Sequence, residues 1–235
     1  METLNSQNYR YIFDNLSRVR EDVEKTALRL GVKVPDILAV TKSAESSEVE
    51  ALVRLFGQRM IGENRTSLFC ERFDLFSDTD RPEMHLIGSL QTNKVKYIAG
   101  KTALIHSLDS ERLAAEIEKQ AAKRDVRMRV LLEINCAREE AKGGIMPEDA
   151  ERFAAALKSY EHLSLSGVMT MGPVLAFEEE YRPFFRETAK IFRDLSDKGY
   201  FEGTPVLSMG MSGSYRVAVE EGSTLIRVGR ALFVK

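Results

Sequence analysis

The 235-residue sequence has few of the residues from which metal sites and disulfide scaffolds are built: two cysteines and three histidines. Cys70 and Cys136 have no metal-like spacing, and His85, His106 and His162 lie far apart along the chain. We therefore expect two reduced, structural cysteines and no metal site.

The chain also lacks the features of membrane, secreted and nucleic-acid-binding proteins. It has no run of about 18 apolar residues, which a transmembrane helix needs, and residues 1–10 contain no apolar signal core. The formal net charge of −2 is far from the basic balance of nucleic-acid-binding domains. With 43% hydrophobic and 30% charged residues, the composition predicts a globular protein, and the missing signal core predicts a cytoplasmic one.

Short apolar runs alternate with longer segments of helical period. Most runs are apolar on successive residues, which is typical of parallel strands buried on both faces. The predicted strands are 37–41, 59–61, 84–87, 104–107, 130–135, 163–169, 206–209 and 224–228. No linker rich in Pro, Gly or Ser divides the chain, so we expect one domain over 1–235.

Eight such strands, each with a helical segment, match the eight units of a single (β/α)8 TIM barrel. A doubly wound open sheet is the competing architecture. An amphipathic helix from about residue 5 to residue 30, stopped by Gly31, precedes the first strand. We therefore expect an extra N-terminal helix, within 1–31, packed on the barrel.

The carboxyl ends of barrel strands face the mouth where barrel enzymes have their active sites. Lys42 ends the first predicted strand, Asn64 follows the second, and Met169 ends the sixth. A strand-end lysine is usually solvated and inert. A partly buried lysine near other cations, in contrast, presents more of the neutral amine that attacks an aldehyde.

The loops after the last two strands are rich in glycine and serine. Barrels often bind phosphate there, where backbone N–H groups and hydroxyls approach an anion closely. The candidates are Gly210, Gly213, Gly229, Ser208 and Ser212, and Ser212 can also cap the helix that follows. The alternative interpretation is a pair of tight turns.

Segments in order along nearly the whole chain resemble the pyridoxal phosphate homeostasis proteins of the YggS/PROSC type. Their barrel is similar to the N-terminal domain of alanine racemase. The matching pieces are AVTK at 39–42, IGEN at 61–64, HLIGSLQTNK at 85–94, EIN at 133–135, KGGI at 142–145, GVMTM at 167–171, LSMGMS at 207–212 and IRVGRALF at 226–233. Each piece alone is weak, whereas the ordered set is specific.

The resemblance implies a function and a set of site residues. It implies pyridoxal 5'-phosphate (PLP) bound as a Schiff base on Lys42, with Arg227 facing the pyridine nitrogen. It further implies a phosphate site of Ser208, Ser212, Gly229 and Arg230, and a ring pocket that includes Asn64 and Met169. Three positions depart from the family pattern. Arg230 stands where Thr or Ser is common, Gly143 stands where serine is common, and Gly213-Ser214 replaces an acidic pair.

An arginine partner disfavours efficient catalysis. Arginine stays protonated and cannot accept a proton, so beside the pyridine nitrogen it disfavours the pyridinium form that makes PLP a good electron sink. Racemases with this arrangement add a second base from a further domain, which we do not expect here. We therefore expect a protein of PLP (vitamin B6) homeostasis with no catalytic residue and with apo-PLP enzymes as recipients. No segment of the sequence shows an unpaired apolar face, so we expect a monomer.

Two other functions stay open at this point. One is a PLP-dependent enzyme such as a weak amino-acid racemase, with Lys42 as one base. The other is a Schiff-base aldolase that uses Lys42 without a cofactor. Lys94, Lys96 and Lys142 are further candidates for holding PLP during transfer, although exposed lysines are common and usually inert.

Overall fold

The computed structural model describes residues 4–139 and 142–235. Its parallel strands close into a barrel in chain order, and the last strand pairs with the first. The strands are β1 Asp36–Val40, β2 Met60–Glu63, β3 Glu83–Leu86, β4 Leu104–Leu108, β5 Met128–Ile134, β6 Leu163–Thr170, β7 Val206–Ser208 and β8 Leu225–Val228. The TIM barrel is confirmed, and each predicted strand lies within two residues of its position.

Helices follow the strands around the outside of the barrel. They are α1 Arg10–Leu30, α2 Ser46–Glu50, α3 Thr66–Asp74, α4 Val95–Ile98, α5 Glu111–Ala122, α6 Ala150–Leu157, α7 Arg182–Asp197, α8 Tyr215–Glu220 and α9 Arg230–Phe233. Turns of 3₁₀ helix precede several of them, as at Pro147–Asp149 before α6. Within the described ranges, no helix is long and apolar enough to cross a bilayer.

The N-terminal helix is tied to the C-terminal end of the chain. One face of α1 buries Ile12, Leu16, Val19, Val23 and Ala27, and the helix packs on α8 and α9. The Asn15 side-chain amide donates hydrogen bonds to the carbonyl oxygens of Leu232 and Val234, at 3.2 and 2.8 Å. The helix ends where expected, because Gly31 adopts the left-handed conformation (φ +65°) that stops helices.

Along a regular strand of the barrel, side chains point alternately to the surrounding helices and to the barrel interior. On β5, Val130, Leu132 and Ile134 pack under the helices, whereas Leu131 packs in the barrel interior against Leu104. Because side chains alternate along a strand, Glu133 shares the interior side with Leu131. A charged residue thus lies where barrels usually place apolar ones.

A bulge in β6 determines which of its residues point inward. Gly167 has φ +147°, and a Cβ on it would lie 1.9 Å from the Val206 carbonyl oxygen, so only glycine fits. The β5–β6 register shifts just before it. Leu165 and Val168 both face the helices as a result, and Met169 turns into the interior.

Candidate functional site

The predicted site residues meet at one end of the barrel. They follow or end five strands: Lys42 after β1, Asn64 after β2, Met169 near the end of β6, Ser208 and Ser212 at and after β7, and Arg227, Gly229 and Arg230 on and after β8. Since the strands are parallel, these positions lie on the carboxyl side of the barrel. The structure therefore brings the candidates of the sequence to the same face.

Arg227 is held in the barrel interior by hydrogen bonds to residues of β7 and β6. Its Nη1 donates to the Ser208 carbonyl oxygen at 2.9 Å and to Ser208 Oγ at 2.7 Å, and Nη2 donates to the Thr170 carbonyl oxygen at 2.9 Å. The side chain is buried. Burial lowers the pKa of Arg227 to about 10, which the Glu133 charge opposes. The guanidinium is therefore charged near neutral pH and fixed in orientation.

Glu133 is a functional candidate that sequence reasoning missed. The carboxylate is buried on β5, and burial and the Asp109 charge raise its pKa to about 7, which the Arg227 charge opposes. Its signal in the sequence is a single carboxylate within the apolar run 130–134. A buried carboxyl that titrates near neutral pH is a feature of functional sites.

Glu133→Gln is expected to stabilise the fold at about pH 8 and to have little effect at about pH 5. The folded protein keeps its Glu133 proton up to about pH 7, whereas the unfolded chain loses it near 4.5. Ionisation therefore costs folding free energy as the pH rises through this window, by up to about 3 kcal/mol. Urea unfolding at both pH values measures the difference. Glu111→Gln is the control, because Glu111 is exposed on α5. An equal effect of Glu133→Gln on the free energy of unfolding at the two pH values would contradict the raised pKa of Glu133.

Ser212 connects the loop after β7 to the segment after β8. Its Oγ accepts hydrogen bonds from the backbone N–H groups of Gly229 and Ala231, at 3.3 and 3.2 Å. The expectation that Ser212 caps α8 is wrong: Ser214 occupies the cap position, and its Oγ accepts from the Met211 N–H at 3.1 Å. The hydroxyl of Ser212 instead faces the start of α9.

Gly229 lies against the end of β1. A Cβ at this position would lie 3.0 Å from the Val40 carbonyl oxygen and 3.1 Å from Val40 Cβ. Glycine therefore allows the segment after β8 to approach the strand that Lys42 follows. Arg230, next to it, is exposed, so its charge is available at the mouth of the barrel.

Ser208 is fully buried, and its hydroxyl contacts Arg227 at 2.7 Å and His106 Nδ1 at 3.1 Å. A phosphate contact of Ser208 stays a prediction. In the present geometry the hydroxyl orients Arg227.

The turn that carries Lys42 is anchored on both sides. The Thr41 hydroxyl donates to the buried Glu63 carboxylate, and Arg72 Nη2 donates to the Ala44 carbonyl oxygen at 2.6 Å. Burial raises the pKa of Glu63, against the Thr41 hydrogen bond and the Arg72 charge, which lower it. Lys42 itself is exposed, so the expectation of partial burial is wrong: its backbone is fixed while its amine reaches solvent.

Asn64 presents an unmet hydrogen-bond acceptor. Its buried Oδ1 has no partner among the residues that the structure describes. The Asn64 backbone is held close to Gly88, where a Cβ would lie 2.3 Å from the Asn64 carbonyl oxygen. A buried polar atom without a partner is costly, which fits a position that bonds a ligand.

The remaining lysine and cysteine candidates have ordinary surroundings. Lys94 and Lys96 are exposed beside the Tyr97 ring, with their Nζ atoms 5.7 and 5.0 Å from its centroid. Lys142 Nζ pairs with Glu139 Oε1 at 2.8 Å. Both cysteines are free thiols, as expected. In 4–139 and 142–235, no group of three or more His, Cys, Asp and Glu residues is arranged to hold a metal ion.

The loop after β6 contradicts the expectation that no apolar surface is left unpaired. Met171, Val174 and Phe177 are exposed, by 41%, 95% and 72%. This apolar segment lies at the carboxyl side of the barrel, where β6 ends.

Comparisons with known proteins identify the family. A family model described as "Alanine racemase, N-terminal domain" matches residues 14–235. The pyridoxal phosphate homeostasis protein of Aquifex aeolicus is 39% identical over 222 residues, covering 94% of this chain and 96% of that protein. The one from Escherichia coli K12 is 31% identical over 229 residues, covering 94% and 95%.

Solved structures share the barrel. PipY of Synechococcus elongatus, solved with PLP bound, superimposes with a TM-score of 0.81 at 26% identity, covering 95% of this chain and all of that one. An alanine racemase of Clostridium difficile in complex with cycloserine has a TM-score of 0.72 at 16% identity. It covers 97% of this chain and 60% of the racemase, and at this identity it shows the shared fold alone.

Proposed function

We propose that this chain, which belongs to the pyridoxal phosphate homeostasis protein family, binds PLP and holds it as a Schiff base on Lys42. In this proposal it serves intracellular PLP homeostasis without efficient catalysis of its own. It aligns over nearly the whole length of relatives that are named pyridoxal phosphate homeostasis protein. PLP supplies an aldehyde for a lysine amine, a pyridine nitrogen and a phosphate.

The buried Arg227 is the observation that carries the proposal. Its guanidinium is fixed by three hydrogen bonds within the barrel. A cation in this position can donate to a pyridine nitrogen but cannot accept a proton from it. PLP stabilises carbanions best when that nitrogen is protonated. An arginine partner therefore favours holding the cofactor over catalysing with it.

The other site residues fit the remaining parts of PLP. The exposed Lys42 amine can bond the aldehyde carbon, with the carbonyl oxygen released as water. Ser212, the glycine backbone at 229 and the charge of Arg230 offer donors for the phosphate. The unpaired Asn64 Oδ1 and the apolar Met169 offer contacts for the ring.

One observation favours an alternative, a PLP-dependent enzyme such as a weak amino-acid racemase. Glu133 is a buried carboxyl in the barrel interior with a pKa raised to about 7, which suits a general base or acid at neutral pH. An enzyme would use it to move the α-proton of an amino acid.

Absorption spectra and proton exchange separate the two functions. We expect a visible band when PLP is added to the purified protein and loss of that band on borohydride reduction. Alanine in heavy water should exchange its α-proton no faster than with free PLP. Exchange at ordinary enzymatic rates that disappears in Lys42→Ala would overturn the carrier role in favour of the racemase. A protein that gives no band with PLP but forms a borohydride-reduced adduct with a phosphosugar would point to the aldolase.

We further propose that the chain is a single PLP-binding domain, works as a monomer and passes PLP to apo-enzymes. Light scattering with and without PLP tests the oligomeric state. The exposed Val174 and Phe177 make this test necessary, because apolar surface of this kind also occurs at protein interfaces.

A further inference from the structure

A row of polar side chains crosses the barrel interior from Arg227 to the opposite end of the barrel. Arg227 Nη1 lies 2.7 Å from Ser208 Oγ, Ser208 Oγ lies 3.1 Å from His106 Nδ1, and His106 Nε2 lies 2.9 Å from His85 Nδ1. The row ends where His85 Nε2 approaches Glu83 Oε2 at 3.9 Å. It therefore links four strands, β8, β7, β4 and β3.

The row ends beside a second cavity, away from Lys42. This basal cavity, of about 420 Å³, is lined by the strand starts and by Lys33, Asp36, Glu83, His85 and Arg129. His106 is fully buried and His85 almost so. Burial lowers the pKa of both imidazoles, most strongly for His106, where the Arg227 charge also lowers it. Both rings are therefore neutral, and each has one donor and one acceptor nitrogen.

The donors along the row can be assigned in one direction. Arg227 can only donate, so Ser208 Oγ accepts from it and its own hydrogen is free for His106 Nδ1. His106 then carries its proton on Nε2 and donates to His85 Nδ1. His85 in turn carries its proton on Nε2, which faces the Glu83 carboxylate. The reverse direction leaves the Ser208 hydrogen without an acceptor in the row and a bare His85 nitrogen facing a carboxylate.

We infer that His106 and His85 are positioning residues, which act through Ser208 to fix the Arg227 guanidinium toward bound PLP, while the Glu83 carboxylate faces the last ring at the basal cavity. This inference rests on the proposed function for its link to PLP. The row itself is a property of the chain alone. It makes the barrel interior a polar connection between the basal cavity and the cofactor site.

Nuclear magnetic resonance of the PLP-free protein tests the row without the cofactor. With ¹⁵N-labelled histidine, His85 and His106 should both show the neutral Nε2–H tautomer between about pH 7 and pH 8. His162, which bonds Glu118 outside the barrel interior, serves as the reference ring. An Nδ1–H tautomer of His106, or a charged His106 in this range, would overturn the inference.

Two variants of His106 test the link to PLP. His106→Phe removes the acceptor for Ser208, and we expect a roughly tenfold rise in the PLP dissociation constant with a shifted absorption maximum of the bound cofactor. His106→Asn offers a carbonyl oxygen near the Nδ1 position and should restore both properties in large part. His162→Asn is the matched control and should leave them unchanged.

Each result of these measurements has a distinct meaning. Wild-type affinity and an unshifted band in His106→Phe would overturn the positioning role, since a merely structural residue does not tune the spectrum. If His106→Phe does not fold, the tautomers of the unmodified protein decide. If the unmodified protein binds no PLP, the proposed function fails, and the tautomer measurement still tests the row by itself.

Discussion

Lys42→Ala is expected to abolish the covalent attachment of PLP. The Schiff base needs a primary amine at this position, and alanine supplies none. After mixing with PLP and reduction by borohydride, the intact-protein mass of the variant should equal that of the bare chain, whereas the unmodified protein gains one adduct. The fold should be unaffected, because the Lys42 side chain is exposed.

Two control variants make this experiment specific. Lys96→Ala removes an exposed lysine beside Tyr97 on the outside of the barrel and should keep the full adduct. Lys42→Arg keeps the positive charge at the mouth but provides no amine for the aldehyde, so it should behave like Lys42→Ala. An adduct of wild-type yield in Lys42→Ala, mapped to Lys94, Lys96 or Lys142, would contradict the assignment.

The sequence predicts the barrel well because strand burial leaves a local signal. Runs such as 130–134 are apolar on successive residues, and this pattern occurs where helices cover one face and the barrel interior the other. Glycines lie between many of the predicted helices and the strands that follow them. The positions of the strand ends then place Lys42, Asn64 and Arg227 at the same end of the barrel, without any knowledge of side-chain contacts.

The interior contacts are not predictable in the same way. His106 and Ser208 are 102 residues apart, and Arg227 and Thr170 are 57 apart. Periodicity indicates which face a residue takes but not which residue it meets across the barrel. The histidine row and the role of Glu133 therefore require the three-dimensional structure.

Local deviations explain the remaining differences. The bulge at Gly167 changes the facing of Met169, which strict alternation from Leu165 would have directed outward. Ser212 accepts hydrogen bonds from the backbone of Gly229 and Ala231, after β8, instead of capping α8. Such tertiary contacts override the capping preference of an isolated sequence.

Arg227→Met is expected to destabilise the fold by about 2–5 kcal/mol at about pH 8, because a buried donor of several hydrogen bonds is removed from the barrel interior. The pKa of Glu133, already raised to about 7, should rise further without the Arg227 charge that lowers it, which adds to the cost of keeping Glu133 ionised. The Ser208 and Thr170 carbonyl oxygens lose their donors as well. Urea unfolding measures the loss, and PLP binding should weaken in parallel. Arg129→Met is the control, since Arg129 is an exposed arginine on β5, and it should cost less than about 1 kcal/mol.

The double variant Arg227→Met/Glu133→Gln separates charge from packing. If the lost Arg227 charge acts through Glu133, Glu133→Gln should stabilise Arg227→Met by about 1 kcal/mol more than it stabilises the unmodified protein at about pH 8. This additional stabilisation should shrink at about pH 5, where Glu133 is protonated in the folded protein. PLP binding should not recover, because the cofactor partner is still missing. Full additivity of the two single variants at about pH 8 would show that Arg227 and Glu133 do not act as a pair.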